Sequence, residues 1–122
     1  MREFDLEDIY KSLRAIRKHA DRAIVTGKAV IFVEETSRAR IDDVYKLAET
    51  VKALKEDQEL KNALKLGNTL SNLKVIVVLH SPHVDSMISK KLEHEMKKLY
   101  AIPLTAPCDR DLKNKLKSLG IL

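Results

Sequence analysis

Several residue types are scarce or missing in this sequence. The 122 residues include no tryptophan, one cysteine, three glycines, three tyrosines and two phenylalanines. A single cysteine excludes a disulfide within the chain, in agreement with a reducing compartment. The sparse glycines form neither a Gly-x-Gly-x-x-Gly nor a Gly-Lys-Ser/Thr pattern, which disfavours the two familiar kinds of nucleotide binding. The few aromatic residues disfavour base stacking on single-stranded nucleic acid.

Long apolar segments are also missing. The longest unbroken apolar runs, Ala29 to Val33 and Val75 to Leu79, contain five residues each. A helix that crosses a membrane needs roughly 20 apolar residues. The segment Met1 to Asp5 has acidic residues where a secretory signal would have an apolar stretch. These absences predict a cytoplasmic protein with no membrane partner.

The residues that are present favour one folded domain over residues 1–122. Hydrophobic residues make up 44% of the chain and charged residues 34%, a balance that is typical of globular proteins. The formal net charge is +5 at pH 7. A basic surface favours an acidic partner, of which nucleic acid is the commonest.

The spacing of apolar residues predicts helices alternating with strands. Asp5 is expected to cap the first helix and Ser81 the third. The predicted elements are, in chain order, a helix over 6–20, a hairpin of strands 23–25 and 29–33, a long helix over 41–66, a strand over 73–79, a helix over 84–99, a short edge strand over 101–105 and a helix over 109–119. This order predicts an α/β fold in which helices pack on a small mixed sheet, with a crossover between two strands.

Acidic residues cluster where the predicted hairpin ends. Glu34 follows the second hairpin strand, and Asp21 precedes it by thirteen residues, next to the first strand. Because side chains alternate along a strand, Glu34 and Thr36 share one face and Glu35 points to the other. An antiparallel hairpin brings Asp21 near Glu34, and two carboxylates can share a Mg²⁺ or Mn²⁺ ion.

From Asp21 to about Thr105 the chain resembles the PD-(D/E)XK nuclease superfamily, particularly its small archaeal members. The stretch Gly27 to Glu34 is similar to the family's second hairpin strand, which ends in Glu-x-Lys. Asp42-Asp43-Val44 is similar to the opening of the helix that follows, and Lys74 to Val78 to the next, buried strand. The resemblance implies a restriction-endonuclease-like fold and a nuclease-like domain associated with DNA.

The resemblance also implies a set of site residues. Asp21 and Glu34 match the metal-binding acids, so the implied cofactor is Mg²⁺ or Mn²⁺. Thr36 stands where the family has its lysine, which orients water and offsets phosphate charge, so we expect cleavage to be weakened or absent. Arg38 and Arg40 are the basic residues expected to contact a phosphate backbone.

Two other interpretations remain open at this point. His80, His83 and Asp85 flank the end of a predicted strand and could form a metal site with imidazole and carboxylate ligands. Alternatively, the protein is a non-enzymatic interaction or scaffold module, and the apolar stripes of its long helices form a homodimer interface. Divalent metal binding at Asp21 and Glu34 distinguishes the nuclease-like protein from the scaffold.

Overall fold

The computed structural model describes residues 1–122 as one five-stranded sheet with helices against both faces. The elements are, in chain order, β1 (Arg2–Asp5), α1 (Leu6–Ser12), β2 (Arg22–Val25), β3 (Ala29–Glu35), α2 (Ile41–Glu56), α3 (Gln58–Ala63), a 3₁₀ turn (Leu70–Asn72), β4 (Lys74–His80), α4 (Ser86–Lys98), β5 (Ile102–Ala106) and α5 (Asp109–Ser118). None of the helices combines the length and the apolar character that crossing a bilayer requires.

The strands lie side by side in the order in which they occur in the chain. β1 pairs with β2, and β2 with β3, in antiparallel orientation. β3 pairs with β4, and β4 with β5, in parallel orientation, with α2 and α4 in the connections. The predicted α/β class with a mixed sheet is therefore confirmed, and β5 is the expected short edge strand.

The two faces of the sheet pack against different helices. Strand alternation sends Val30 and Phe32 into the larger hydrophobic cluster, which is built with α1, α2, α3 and α4. Ala29, Ile31 and Val33 enter the smaller cluster, which is built with α5. Both clusters bury the same strand, which is why β3 is apolar without alternation. We call the sheet surface toward α2 the α2 face and the other the α5 face.

The N-terminal part differs from the predicted single helix over 6–20. The chain first forms β1, whose four residues are mostly exposed and pair with β2. Asp5 then caps α1 as predicted, by accepting a hydrogen bond from the Asp8 amide. The helix ends at Ser12 because Arg14 adopts a left-handed φ of 55° and the Ala15 amide bonds back to Tyr10. The apolar spacing that continues to Ala20 belongs to a loop.

Two further boundaries differ because aspartate side chains cap helices. The predicted helix over 41–66 is interrupted at Asp57, whose carboxylate accepts from the amides of Glu59 and Leu60 and begins α3. Asp85, rather than Ser81, caps α4 by accepting from the Ile88 amide. Ser81 instead accepts from the His83 amide within the preceding turn. These caps satisfy amides that a helix start leaves without intrahelical partners.

Candidate metal site at the end of the hairpin

The register of the β2–β3 hairpin places Asp21 opposite Glu34. Arg22 is paired with Val33, so the residues just beyond this pair face each other. The Asp21 amide donates to the Val33 carbonyl at 3.1 Å, and the Glu35 amide donates to Asp21 Oδ2 at 2.8 Å. These two bonds hold the Asp21 side chain beside the end of β3. The structure thus brings together the two acids that the sequence singled out.

Glu34 is a buried carboxylate with an unsatisfied oxygen. Its side chain lies on the α2 face, and the residue is 2% exposed. Oε2 lies 3.3 Å from the ammonium of Lys46, whereas Oε1 has no hydrogen-bond partner. Buried polar atoms without partners are rare in native proteins because each one costs free energy. Glu34 Oε1 is therefore an open position for a ligand that prefers oxygen.

The surroundings of Glu34 change its ionisation. Burial raises the pKa of its carboxyl from 4.5 to about 8, and the negative charge of Asp21 adds to this rise. Asp43 acts in the same direction, while Lys46 offsets part of the effect. A proton therefore competes with a cation for the Glu34 carboxylate near neutral pH.

Helix α2 supplies Lys46, which the sequence analysis did not identify. The start of the helix is fixed where the Arg40 amide donates to Asp43 Oδ2 at 2.8 Å. Further along, the Thr50 hydroxyl accepts from the Ala20 amide at 2.7 Å, which ties α2 to the segment that leads into Asp21. Asp43, Lys46 and Thr50 recur at helical spacing within a mostly apolar face. These polar residues within an apolar helix face were the sequence signal from which Lys46 could have been identified.

Thr36 lies outside the strand that holds Glu34. β3 ends at Glu35, and the Thr36 amide donates to the His80 carbonyl at 3.1 Å. Its hydroxyl donates to the Arg38 carbonyl at 3.2 Å and stabilises the loop that leads to α2. The structure therefore gives Thr36 a role in the loop and does not bring its hydroxyl into the contacts of Glu34.

Basic side chains surround the start of α2. Arg38 and Arg40 are exposed, and Arg40 is the residue immediately before the helix. Lys18, in the loop after α1, is paired with Asp42 in the first helical turn. Lys46, further along the helix, is paired with Glu34. Arg38 and Arg40 are therefore the basic residues near the start of α2 that can attract an anion.

The histidines His80 and His83 do not form a metal site with Asp85. His80 Nε2 lies 3.1 Å from Asp109 Oδ1, His83 is exposed, and Asp85 caps α4. The structure contains no group of three or more histidine, cysteine or acidic side chains positioned to hold a metal ion. Any cation at the hairpin end would therefore have two protein carboxylates and would complete its coordination with water or substrate oxygens.

Comparison with protein-family models, with curated proteins and with solved structures gives no significant match.

Proposed function

We propose that this protein is a metal-dependent, nuclease-like domain in which Asp21 and Glu34 hold Mg²⁺ or Mn²⁺. The observation that supports this most strongly is Glu34 Oε1, a buried acidic oxygen without a hydrogen-bond partner, beside a second carboxylate. A scaffold protein gains nothing from such an arrangement, because an unpaired buried oxygen and two neighbouring acids both reduce stability.

The donor set fits a hard divalent cation. Mg²⁺ prefers oxygen ligands and is commonly held by one or two carboxylates together with waters and phosphate oxygens. Asp21 Oδ1 and Glu34 Oε1 are both without hydrogen bonds within the protein. In its site, such an ion polarises a phosphodiester and lowers the pKa of bound water.

Lys46 takes the role that the resemblance assigns to the position of Thr36. Its ammonium lies 3.3 Å from Glu34 Oε2 and reaches the site from α2 rather than from β3. From there it can offset the charge of a phosphate or orient a water molecule beside the metal ligands. Lys46 thus supplies the positive charge that Thr36 lacks, and this charge gives the site the capacity for cleavage.

The order of elements around the site also supports the proposal. The hairpin that bears Asp21 and Glu34 is followed by helix α2 and then by β4, a buried strand parallel to β3. This is the order that the resemblance to PD-(D/E)XK nucleases predicts. Arg38 and Arg40 are the exposed basic residues that we expect to contact phosphates, so binding should depend on the backbone and weakly on base sequence.

The test is cleavage of plasmid, linear, single-stranded and branched DNA in the presence of Mg²⁺ or Mn²⁺. We expect cleavage by the native protein, none after chelation, and none by Glu34→Gln. Glu93→Gln is the matched control, because Glu93 is exposed on α4 and forms no ion pair in the structure. Absence of cleavage and of metal binding in the native protein would contradict the proposal.

A second candidate, a homodimeric interaction module, is favoured by one observation. Ile41 and Tyr45 of α2 and Met87 of α4 remain exposed on two helices that pack together. A molecular-mass measurement in solution tests this candidate. A dimer that dissociates in Tyr45→Glu and in Met87→Glu would support it, whereas a monomeric native protein would exclude it.

A further inference from the structure

Arg22 and Glu35 form an ion pair directly behind the two acids of the site. Side chains alternate along β2 and β3, so Asp21 and Glu34 face α2 while Arg22 and Glu35 lie on the α5 face. Arg22 Nε lies 2.8 Å from Glu35 Oε1, an ionic contact whose N–H is not aligned as a hydrogen bond. The dipeptides Asp21-Arg22 and Glu34-Glu35 therefore present two acids on the α2 face and an ion pair on the α5 face.

Arg22 connects β1 and α5 to this end of the hairpin directly, and β4 through Asp109. Its Nη1 donates to Glu3 Oε1 of β1 at 2.6 Å, and its Nη2 lies 3.7 Å from Asp109 Oδ1 at the start of α5. The same aspartate contacts His80 at the end of β4. The Arg22 side chain is 24% exposed, but its acidic partners are about half to three-quarters exposed, so solvent screens part of each contact. A planar guanidinium can serve three carboxylates in a way that a lysine cannot.

The hairpin end needs such a restraint because its acids repel each other when ionised. β2 begins at Arg22, so pairing between β2 and β3 stops at Arg22 and Val33, whereas β3 stays paired with β4 through Glu35 and His80. The Glu35 residue is held from both sides. Its amide donates to Asp21 Oδ2, and its carboxylate contacts Arg22. Pairing with β4 fixes the Glu35 backbone, so loss of the second contact would remove the side-chain link between the end of β3 and the start of β2, next to Asp21.

We propose that Arg22 is the positioning residue of the metal site: by linking the start of β2 to Glu35 at the end of β3, it keeps the Asp21 and Glu34 carboxylates close enough to share one cation. This inference rests on the proposed metal binding at those two residues. Groups that orient metal ligands typically contribute roughly 10–100-fold to metal affinity. Arg22 acts through Glu35 and does not itself bind the cation.

The experiment is Mn²⁺ affinity of the full chain, measured by calorimetry and by electron paramagnetic resonance. The proteins compared are the native chain, Arg22→Lys, Arg22→Gln, Glu35→Gln and Glu34→Gln, each checked for folding by circular dichroism. We expect both Arg22 variants and Glu35→Gln to bind Mn²⁺ roughly 10–100-fold more weakly than the native chain. If Arg22→Gln fails to fold, Arg22→Lys provides the test without a change of charge, whereas Glu35→Gln also weakens cation binding through the loss of its negative charge.

The outcomes separate this inference from the proposed function. An effect of charge alone would have the opposite sign, because removing a cation beside acids strengthens cation binding. Unchanged or tighter binding by Arg22→Gln, with Glu34→Gln inactive in binding, would therefore overturn the inference and leave the metal site intact. No Mn²⁺ binding by the native chain would overturn the proposed function and this inference together.

A double variant tests whether Arg22 acts through Glu35. If it does, Arg22→Gln combined with Glu35→Gln loses no more affinity than either change alone. Two independent structural effects would instead multiply, and multiplied losses would overturn the inference.

Discussion

Glu34 and Glu35 are adjacent in the sequence and occupy opposite environments. Glu34 is 2% exposed, leaves one oxygen without a partner and has its pKa raised to about 8 by burial. The Glu35 side chain is 48% exposed and contacts Arg22 at 2.8 Å. Alternation along β3 is the whole cause of the difference, because it turns one side chain toward α2 and the other toward the α5 face.

The comparison separates a carboxylate that stabilises the fold from one that does not. Glu35 contacts Arg22 at a half-exposed position, whereas Glu34 is buried beside Asp21 and Asp43 with only Lys46 to oppose them. Retaining a destabilising acid inside a small core is typical of a functional site. Substitutions of the two glutamates, and of the groups around them, therefore test whether the contrast between them has a function.

The largest expected effect is on metal affinity. Glu34→Gln should weaken Mn²⁺ binding by at least about 100-fold, because it removes a ligand, whereas Glu35→Gln should weaken it by about tenfold, because it loosens the support of Asp21. Calorimetry on the two variants measures the ratio. Equal losses would show that the buried and the exposed glutamate contribute alike, and the contrast between them would then have no functional meaning.

The next effect is on stability as a function of pH. Glu34 has a higher pKa in the folded protein than its ordinary 4.5, so the folded state holds its proton more tightly than the unfolded state does. Its stabilising contribution is therefore fully present below pH 4.5 and is lost as the pH rises through about 8. Since one pKa unit corresponds to about 1.4 kcal/mol, the change amounts to a few kcal/mol.

Chemical denaturation at pH values from 4 to 9, a range that includes both 4.5 and about 8, measures this dependence. The unfolding free energy of the native protein, relative to that of Glu34→Gln, should fall across this window. Glu35→Gln should show the same fall as the native protein, since it retains Glu34. A native protein that follows Glu34→Gln at every pH would contradict the assignment of a buried, protonated Glu34.

The sequence was sufficient to predict the acids but not the cation that faces them. Alternation and a hairpin turn near Gly27 are local properties, and they place Asp21 opposite Glu34 without knowledge of the rest of the fold. Lys46 lies twelve residues after Glu34 on a helix, and its contact with Glu34 depends on how α2 packs on the sheet. Packing of this kind is a tertiary property, which apolar spacing alone does not reveal.

The predicted end of the first helix was wrong because apolar spacing typical of a helix continues beyond the true end. Ile16 and Ala20 extend the apolar spacing of α1, yet Ile16 is fully exposed in a loop and Ala20 is buried beyond the helix. The helix ends at a left-handed Arg14, a conformation that glycine normally signals. Lys65 and Tyr100 end α3 and α4 in the same conformation, so the scarcity of glycine removed the usual markers of helix ends.

Lys46→Met is expected to separate metal binding from cleavage. Removing the ammonium should lower the cleavage rate by roughly 100-fold, the smaller end of what positioned proton-transfer or charged groups contribute. Mn²⁺ affinity should be unchanged or higher, because one cation that competes for Glu34 has gone. Lys52→Met, further along α2 and paired with Glu49 at the surface, is the matched control. A loss of affinity as large as the loss of rate would contradict the catalytic role of Lys46.

The smallest effect is expected from Thr36→Val, which removes the hydroxyl while retaining the β-branched shape. The hydroxyl donates to the Arg38 carbonyl, so its loss should reduce stability by about 1 kcal/mol. Cleavage and Mn²⁺ affinity should stay within about twofold of the native values, which corresponds to a free-energy change well below that of one hydrogen bond. Denaturation and cleavage assays on the same preparations measure both quantities. A loss of cleavage in Thr36→Val as large as in Lys46→Met would return the function of the motif lysine to the end of β3, and α2 would then serve the site only by packing.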